Sequence, residues 1–272
     1  MVLLEEERSR YARQLILPEV GEAGQERLRA GRVLICGLGG LGSPMAYYLA
    51  AAGVGTIGLV DGDNVEISNL QRQILHATAD IGRAKTDSAR ERLQALNPHV
   101  RLETYKERLD PNNIKSVINN YDIILDGLDN FPSRLMVNRA CLEAKKVFIH
   151  GGVQGFSGQI MTIVPGQGPC LQCLLPQEPP VVQAYTKTGE QNNPERDNLC
   201  MTDTQRYPER EILGVLGVLP GIIGSLQATE ALKFLLGTGD LPAGRLLSYN
   251  ALESRFVTIK VNRNPRCPAC GG

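Results

Sequence analysis

Short apolar runs alternate with longer stretches that carry an apolar position every three to four residues, and the alternation persists from residue 31 to residue 150. Arg32 to Cys36, Thr56 to Val60, Arg101 to Thr104, Asp122 to Leu125 and Val147 to His150 read as short buried strands. Helical spacing fills the gaps over Leu41 to Ala52, Gly82 to Leu96, Pro111 to Asn119 and Pro132 to Ala144. Strands separated by helices pair in parallel, because a parallel neighbour requires a crossover connection. The fold class is therefore α/β, with a doubly wound, Rossmann-like, mainly parallel sheet.

The pattern differs on either side of this block. Leu3 to Leu28 is rich in helix formers and interrupted near Leu17-Pro18, which predicts an N-terminal helical arm over residues 1–30. Beyond Gly151, the segments Gly158 to Val164, Arg245 to Tyr249 and Phe256 to Val261 read as antiparallel strands extending the sheet. Leu219 to Leu236 returns to helical spacing with Glu230 and Lys233 on its polar side. Gln177 to Arg210 is polar, without either period, and a loop of that length is functional or disordered. The whole chain, 1–272, reads as one domain, with a nucleotide-binding half over 31–150 and a second half over 151–272 that holds the loop 177–210.

Composition narrows the function classes. Lys plus Arg and Asp plus Glu stand at 29 each, so no global field favours nucleic acid or an anionic membrane. The acidic start Met1-Val2-Leu3-Leu4-Glu5-Glu6-Glu7-Arg8 lacks the basic-then-apolar order of an export signal. The longest apolar run, Ile212 to Leu226, is broken by Pro220 and falls short of the ~20 residues a span requires. A cytoplasmic protein is expected, with no membrane and no direct nucleic-acid partner.

Two cysteine pairs, Cys170-Leu171-Gln172-Cys173 and Cys267-Pro268-Ala269-Cys270, have the spacing that lets two thiolates reach one ion. Together they predict a closed four-cysteine site for structural Zn2+, the alternative being redox dithiols or disulfides. The turn after the first strand carries Gly37, Gly39, Gly40 and Gly42, which suits backbone N–H groups and a helix N-terminus facing a phosphate. Asp61 falls about 20 residues downstream, where a carboxylate reaches a ribose. These two features alone also fit an NAD-dependent dehydrogenase. The cluster Ser68-Asn69-Leu70-Gln71-Arg72-Gln73, with Lys85 and then Asp129-Asn130, fits phosphoryl chemistry instead: Arg72 and Lys85 match the charge of a triphosphate, and Asp129 can hold Mg2+. Otherwise Arg72 and Lys85 are solvated surface cations.

The run Arg10-Tyr11-Ala12-Arg13-Gln14, the glycine turn, Asp61-Gly62-Asp63, Ser68 to Gln73, Lys85, Asp129-Asn130, both cysteine pairs and Gly221-Ile222-Ile223-Gly224-Ser225-Leu226-Gln227-Ala228 together resemble the HesA/MoeB/ThiF adenylyltransferases. These are bacterial relatives of ubiquitin-activating enzymes. The resemblance covers nearly the whole chain. It implies a homodimer that uses ATP to adenylate the C-terminal glycine of a small ubiquitin-like sulfur carrier ending in Gly-Gly. By position it implies that Gly40, Asp61, Asn69, Arg72, Lys85 and Asp129 contact ATP or its Mg2+, and that Arg13 reaches the partner's phosphates. The carrier carboxylate is already a nucleophile, so no general base is expected, and His76, His99 and His150 read as ordinary histidines.

The chain departs from the pattern in its crossover loop. Many family members carry a cysteine a few residues before the segment matching Gly214-Val215-Leu216-Gly217; here the matching place is Arg210. Cys200, flanked by Arg196 and Arg206, is the nearest candidate for a covalent link, because neighbouring cations favour a thiolate. Cys36 and Cys141 read as buried apolar fillers. No rhodanese-like extension follows Gly272, so the sulfur is expected from a separate persulfide or rhodanese-type donor. A related family that activates a carboxylate on modified tRNA would use the same ATP motifs.

Overall fold

A computed structural model describes residues 3–174 and 214–271; the loop 177–210, with Cys200 and Arg210, lies outside the described residues. Five strands follow in parallel: β1 (Arg32–Cys36), β2 (Thr56–Val60), β3 (Arg101–Tyr105), β4 (Ile123–Asp126) and β5 (Val147–Gln154). Then β6 (Ser157–Ile163), β7 (Arg245–Asn250) and β8 (Arg255–Lys260) continue the sheet antiparallel. The spatial order is β3-β2-β1-β4-β5-β6-β7-β8. Winding runs outward from β1 to β3 and restarts at β4 on the other side, so the switch point lies between β1 and β4. Open α/β sheets place their ligands at the carboxyl ends of the strands there. Cys36 is in register with both Val60 and Asp126, so the loops after β1, β2 and β4 leave the sheet at one level.

Alternation along the strands sorts the core into two layers, as the period-two geometry of a strand dictates. Val33 and Ile35 face α4 (Gly42–Ala51), α5 (Lys85–Leu96) and α8 (Val218–Leu236), where Met45, Leu49, Leu93 and Ile223 are fully buried. Leu34 and Cys36 face α6 (Ile114–Ile118) and α7 (Phe131–Glu143), with Ile118, Val137 and Cys141. Burial on both faces explains why β1, β2 and β4 read as continuous apolar runs. The edge strand β8 is exposed along most of its length.

The N-terminal segment is three short helices, α1 (Glu5–Arg10), α2 (Ala12–Leu15) and α3 (Gly21–Ala30), held against the body. Val20 and Leu28 pack on Leu236 of α8, and the buried Tyr11 hydroxyl accepts a hydrogen bond from Asn97 Nδ2 at 2.8 Å. Three boundaries differ from the sequence reading. The helix expected from Gly82 starts at Lys85, because Gly82 sits at φ +85°, outside helical space. The helix expected from Pro111 starts at Ile114, because the Asp110 carboxylate accepts the Asn112 and Asn113 N–H groups in a local turn. Strand β5 runs on to Gln154, because it pairs with β6 as a hairpin down to Gln154 and Ser157.

Candidate active site and metal centre

The glycine turn is built by close backbone approach. Gly37 sits at φ +96°, and a Cβ there would lie 2.5 Å from Gly127 O, on the loop after β4. A Cβ on Gly42, the first residue of α4, would lie 2.1 Å from Gly37 O. These two glycines let β1 turn directly into α4, whose N-terminus then opens at the carboxyl edge of the sheet. The start of α8 closes over the same turn: Pro220 and Arg72 both lie against Gly40, and Gly217 lies against Gln71.

Asp61, at the end of β2, spends its carboxylate on this frame. One oxygen accepts the Leu38 N–H at 2.8 Å and the other the Asp63 N–H at 2.8 Å. Lys85, at the N-terminus of α5, is only 6% exposed, which overturns its reading as a solvated cation. Its Nζ lies 3.8 Å from Asp61 and 3.4 Å from Asp63. Asp63 also pairs with Arg108 at 2.7 Å, and that hydrogen bond holds its pKa below the usual carboxylate range. His76 ties the two sides together: Nδ1 meets Ser88 Oγ at 2.9 Å and Nε2 meets Leu38 O at 3.1 Å, and burial lowers its pKa.

The segment 67–73 winds across the mouth of the turn. Ser68 and Gln71 are exposed, Asn69, Leu70 and Arg72 are half-buried, and Gln73 is buried. Arg72 Nη1 donates to Ser68 O at 3.1 Å. Gln73 lies against Gly39, and its Oε1 is buried with no hydrogen-bond partner among the described residues. Beside the glycine turn, this orphaned acceptor can take a ligand's N–H or O–H donor, and the buried Lys85 ammonium suits its negative charge.

On the β4 side, Asp129 is exposed and accepts from Asn130 Nδ2 at 3.1 Å. Asn130 Oδ1 in turn caps α7 by accepting the Ser133 N–H at 2.9 Å. Behind this loop lies a buried network that sequence reasoning missed. Asp126 is fully buried and holds His150 Nδ1 at 2.6 Å, and Gln227 Nε2 of α8 donates to the backbone oxygens of Asp126 and Ile149 at 2.9 and 3.0 Å. His150 is thus more than an ordinary histidine, although burial still lowers its pKa. A carboxylate at a strand end, with a histidine at the next strand end, was the available signal.

The structure brings together the glycine turn, Asp61, Asp63 and Lys85, with Arg72 and Gln73 packed over the turn, Gln71 against Gly217, and Asp129 on the loop after β4. Arg13 stands exposed on α2, whose main contacts are α1 and α3. A Mg2+ ion, which takes one or two carboxylates plus phosphate oxygens and water, suits an exposed carboxylate such as Asp129 at this edge.

The four paired cysteines converge on the face of the sheet opposite α8, with all sulfurs within 4.8 Å of one another. Cys170 lies 3.7 Å from Cys267 and 4.0 Å from Cys173, and Cys173 lies 3.4 Å from Cys270. A tetrahedral Zn2+ with bonds of about 2.3 Å requires sulfurs about 3.8 Å apart, so the set fits that ion. Burial raises the Cys170 and Cys173 pKa values. Burial also opposes the Cys267 thiolate, but the Ala269 and Cys270 N–H groups and the neighbouring thiols outweigh it and bring its pKa to about 7. Among the described cysteines none is disulfide-bonded. Burial raises the pKa of both Cys36 and Cys141, as expected of inert fillers.

Residues 11–269 match the ThiF family. The chain is 45% identical over 271 residues to a sulfur carrier protein adenylyltransferase of Thermus thermophilus, spanning 98% of this chain and 92% of that protein. It is 42% identical over 262 residues to the SAMP-activating enzyme E1 of Haloferax volcanii, spanning 96% and 88%. It is 43% identical over 270 residues to the adenylyltransferase and sulfurtransferase MOCS3 of Sus scrofa, spanning 99% of this chain and 54% of that longer protein. In fold it resembles E. coli MccB, solved with ATP, at a TM-score of 0.78 and 22% identity over 97% of this chain and 75% of that one. With a family match over nearly its full length and relatives above 40% identity, the chain belongs to the ThiF family.

Proposed function

We propose that the protein is an ATP-dependent adenylyltransferase acting on the C-terminal glycine carboxylate of a ubiquitin-like sulfur carrier. The observation that carries this reading is the near full-length identity to the Thermus sulfur carrier protein adenylyltransferase. The site geometry supports it: a buried ammonium and an orphaned amide oxygen stand beside a glycine turn at the switch point of the sheet.

In the reaction a carrier carboxylate oxygen attacks the α-phosphorus, the bond to the β-phosphate bridging oxygen breaks, and pyrophosphate leaves with that oxygen. The product is an acyl-adenylate ready for thiolation by a persulfide or rhodanese-type donor. We assign Lys85 and Arg72 to the charge growing on the phosphates and Asp61 to the ribose as well as to the shape of the turn, and Gln73 offers its free acceptor. Bound Mg2+ would neutralise phosphate charge, with Asp129 as its protein ligand. Arg13, exposed on α2, is available to a second subunit, and we assign it to the partner's phosphates in a homodimer. Zn2+ on Cys170, Cys173, Cys267 and Cys270 ties the end of the chain to the body and takes no part in the chemistry. No described helix is long and apolar enough to cross a membrane, in keeping with a cytoplasmic enzyme.

Exchange of labelled pyrophosphate into ATP tests the reading. It should require a carrier ending in Gly-Gly. Exchange driven by a modified tRNA would replace the reading with its tRNA-activating relative.

A further inference from the structure

Three residues before Asp129 the chain buries a carboxylate for which the chemistry above has no use. Asp126 closes β4 at 0% exposure. Its Oδ1 accepts the Leu128 N–H at 3.0 Å, and its Oδ2 accepts from His150 Nδ1 at 2.6 Å and lies 3.4 Å from Arg134 Nε. Arg134, 5% exposed in the first turn of α7, donates through Nη2 to Leu128 O at 2.6 Å. One buried ion pair therefore holds both backbone polar groups of Leu128.

Those two groups belong to the two peptide planes flanking the Leu128 Cα, and the second plane leads into Asp129. Fixing it leaves Asp129 little freedom on its N-terminal side. On the other side the Asn130 cap pins the chain to α7, and Asn130 Nδ2 steadies the Asp129 carboxylate. The pair is itself braced. His150 meets the carboxylate through Nδ1 and turns Nε2 to the Gln159 amide at 3.4 Å, while Gln227 holds the Asp126 carbonyl from α8. A buried ion pair adds little stability over an apolar substitute of the same volume. Its distinctive product here is geometry.

We propose that Asp126 and Arg134 are positioning residues that clamp Leu128 and so aim the Asp129 carboxylate at the divalent cation accompanying the nucleotide. The inference rests on the assignment of Asp129 made above. Groups that orient a metal ligand without touching the metal contribute about 10–100-fold to metal affinity, and that range is expected here.

The test measures binding and backbone dynamics as well as turnover. Arg134→Lys keeps the charge facing Asp126 but removes the planar fork that reaches Leu128 O; Asp126→Asn weakens the other half of the clamp. Mn2+ binding to the protein with an α,β-methylene ATP analogue, followed by electron paramagnetic resonance, should weaken about 10–100-fold in either variant. Analogue affinity without metal should stay near wild type. In an Asp129→Asn background the same substitutions should weaken Mn2+ binding by less than about twofold, because coupled residues are not additive. Mn2+ affinity near wild type in a folded variant, or an equal loss in both backgrounds, overturns the clamp. If Asp129→Asn alone leaves Mn2+ binding unchanged, the assignment of Asp129 fails and the inference falls with it. Hydrogen exchange on the wild-type protein serves even if the variants do not fold. Leu128 N–H should be protected like the β4 amides, and exchange at the rate of an open loop overturns the proposal.

Discussion

Replacing Lys85 with Met separates the electrostatic role of the ammonium from its part in the fold. The Lys85 and Asp61 side chains are each 8% exposed and 3.8 Å apart, so the deletion leaves a carboxylate in a poorly solvated place. Breaking a fully buried pair costs about 3–5 kcal/mol. Here Asp61 retains two backbone N–H donors and Asp63 retains Arg108, so about 2 kcal/mol is expected, equivalent to ~4–8 °C in Tm for a chain of this size. The fold survives, because domains hold about 5–15 kcal/mol in reserve. Activity should fall further, by about 100–1,000-fold in kcat, the effect of removing one preorganised charge from a transition state. Pyrophosphate exchange at saturating carrier and ATP, with a thermal melt on the same preparation, measures both quantities. Exchange within about fivefold of wild type in a folded Lys85→Met protein would refute the assignment, since a charge stabiliser of this kind contributes far more.

Three other expectations follow from the same geometry. Metal analysis should find one zinc per chain, and Cys173→Ser should lose it together with several (~3 or more) kcal/mol of stability, because metal binding is coupled to folding; zinc-free wild-type protein with an unchanged melt would contradict this. Burial opposes the charge on Asp80, but Arg92, the Ala77 N–H and Ser88 outweigh it and depress its pKa well below the usual range. Its stabilising effect is therefore present above about pH 4 and is lost as pH falls through the depressed folded value, so Asp80→Asn should lower stability by about 2 kcal/mol at pH 7 and flatten the acid limb of an equilibrium unfolding curve. For the proposed homodimer, Arg13→Ala and Asp129→Ala chains should each be inactive alone, whereas mixed dimers of the two should regain one working site; no recovery in verified mixed dimers would put Arg13 out of the partner's site.

Much of the sheet was legible because β1, β2, β4 and β5 are buried on both faces, which turns each into an apolar run too short for a helix. The glycine turn and the cysteine pairs were legible for a similar reason: their spacing is a local property. Convergence of Cys170 on Cys267, 97 residues apart, was less so, since it depends on the sheet continuing through β6, β7 and β8. Exposure was the weakest inference. Lys85 was singled out for its charge, but its burial beside Asp61 and Asp63 was not legible from helical spacing, which leaves a solvated surface lysine equally open. Asp126 and His150 offered only their places at the ends of two expected strands, and Arg134 offered no pattern, because a buried polar network is assembled from elements that only the tertiary fold brings together. Local turn chemistry at Gly82 and Asp110 shifted two helix starts for reasons that periodicity does not carry.

The central claim is that ATP is spent on the carboxylate of a carrier protein. Intact-mass spectrometry of the carrier after incubation with enzyme, ATP and Mg2+, quenched before a sulfur donor is added, tests it most directly. We predict an adenylate confined to the C-terminal glycine, absent when that glycine is deleted from the carrier and absent with Asp129→Ala enzyme. An unmodified carrier alongside continued ATP cleavage, or an adenylate formed elsewhere on the carrier, would contradict the claim.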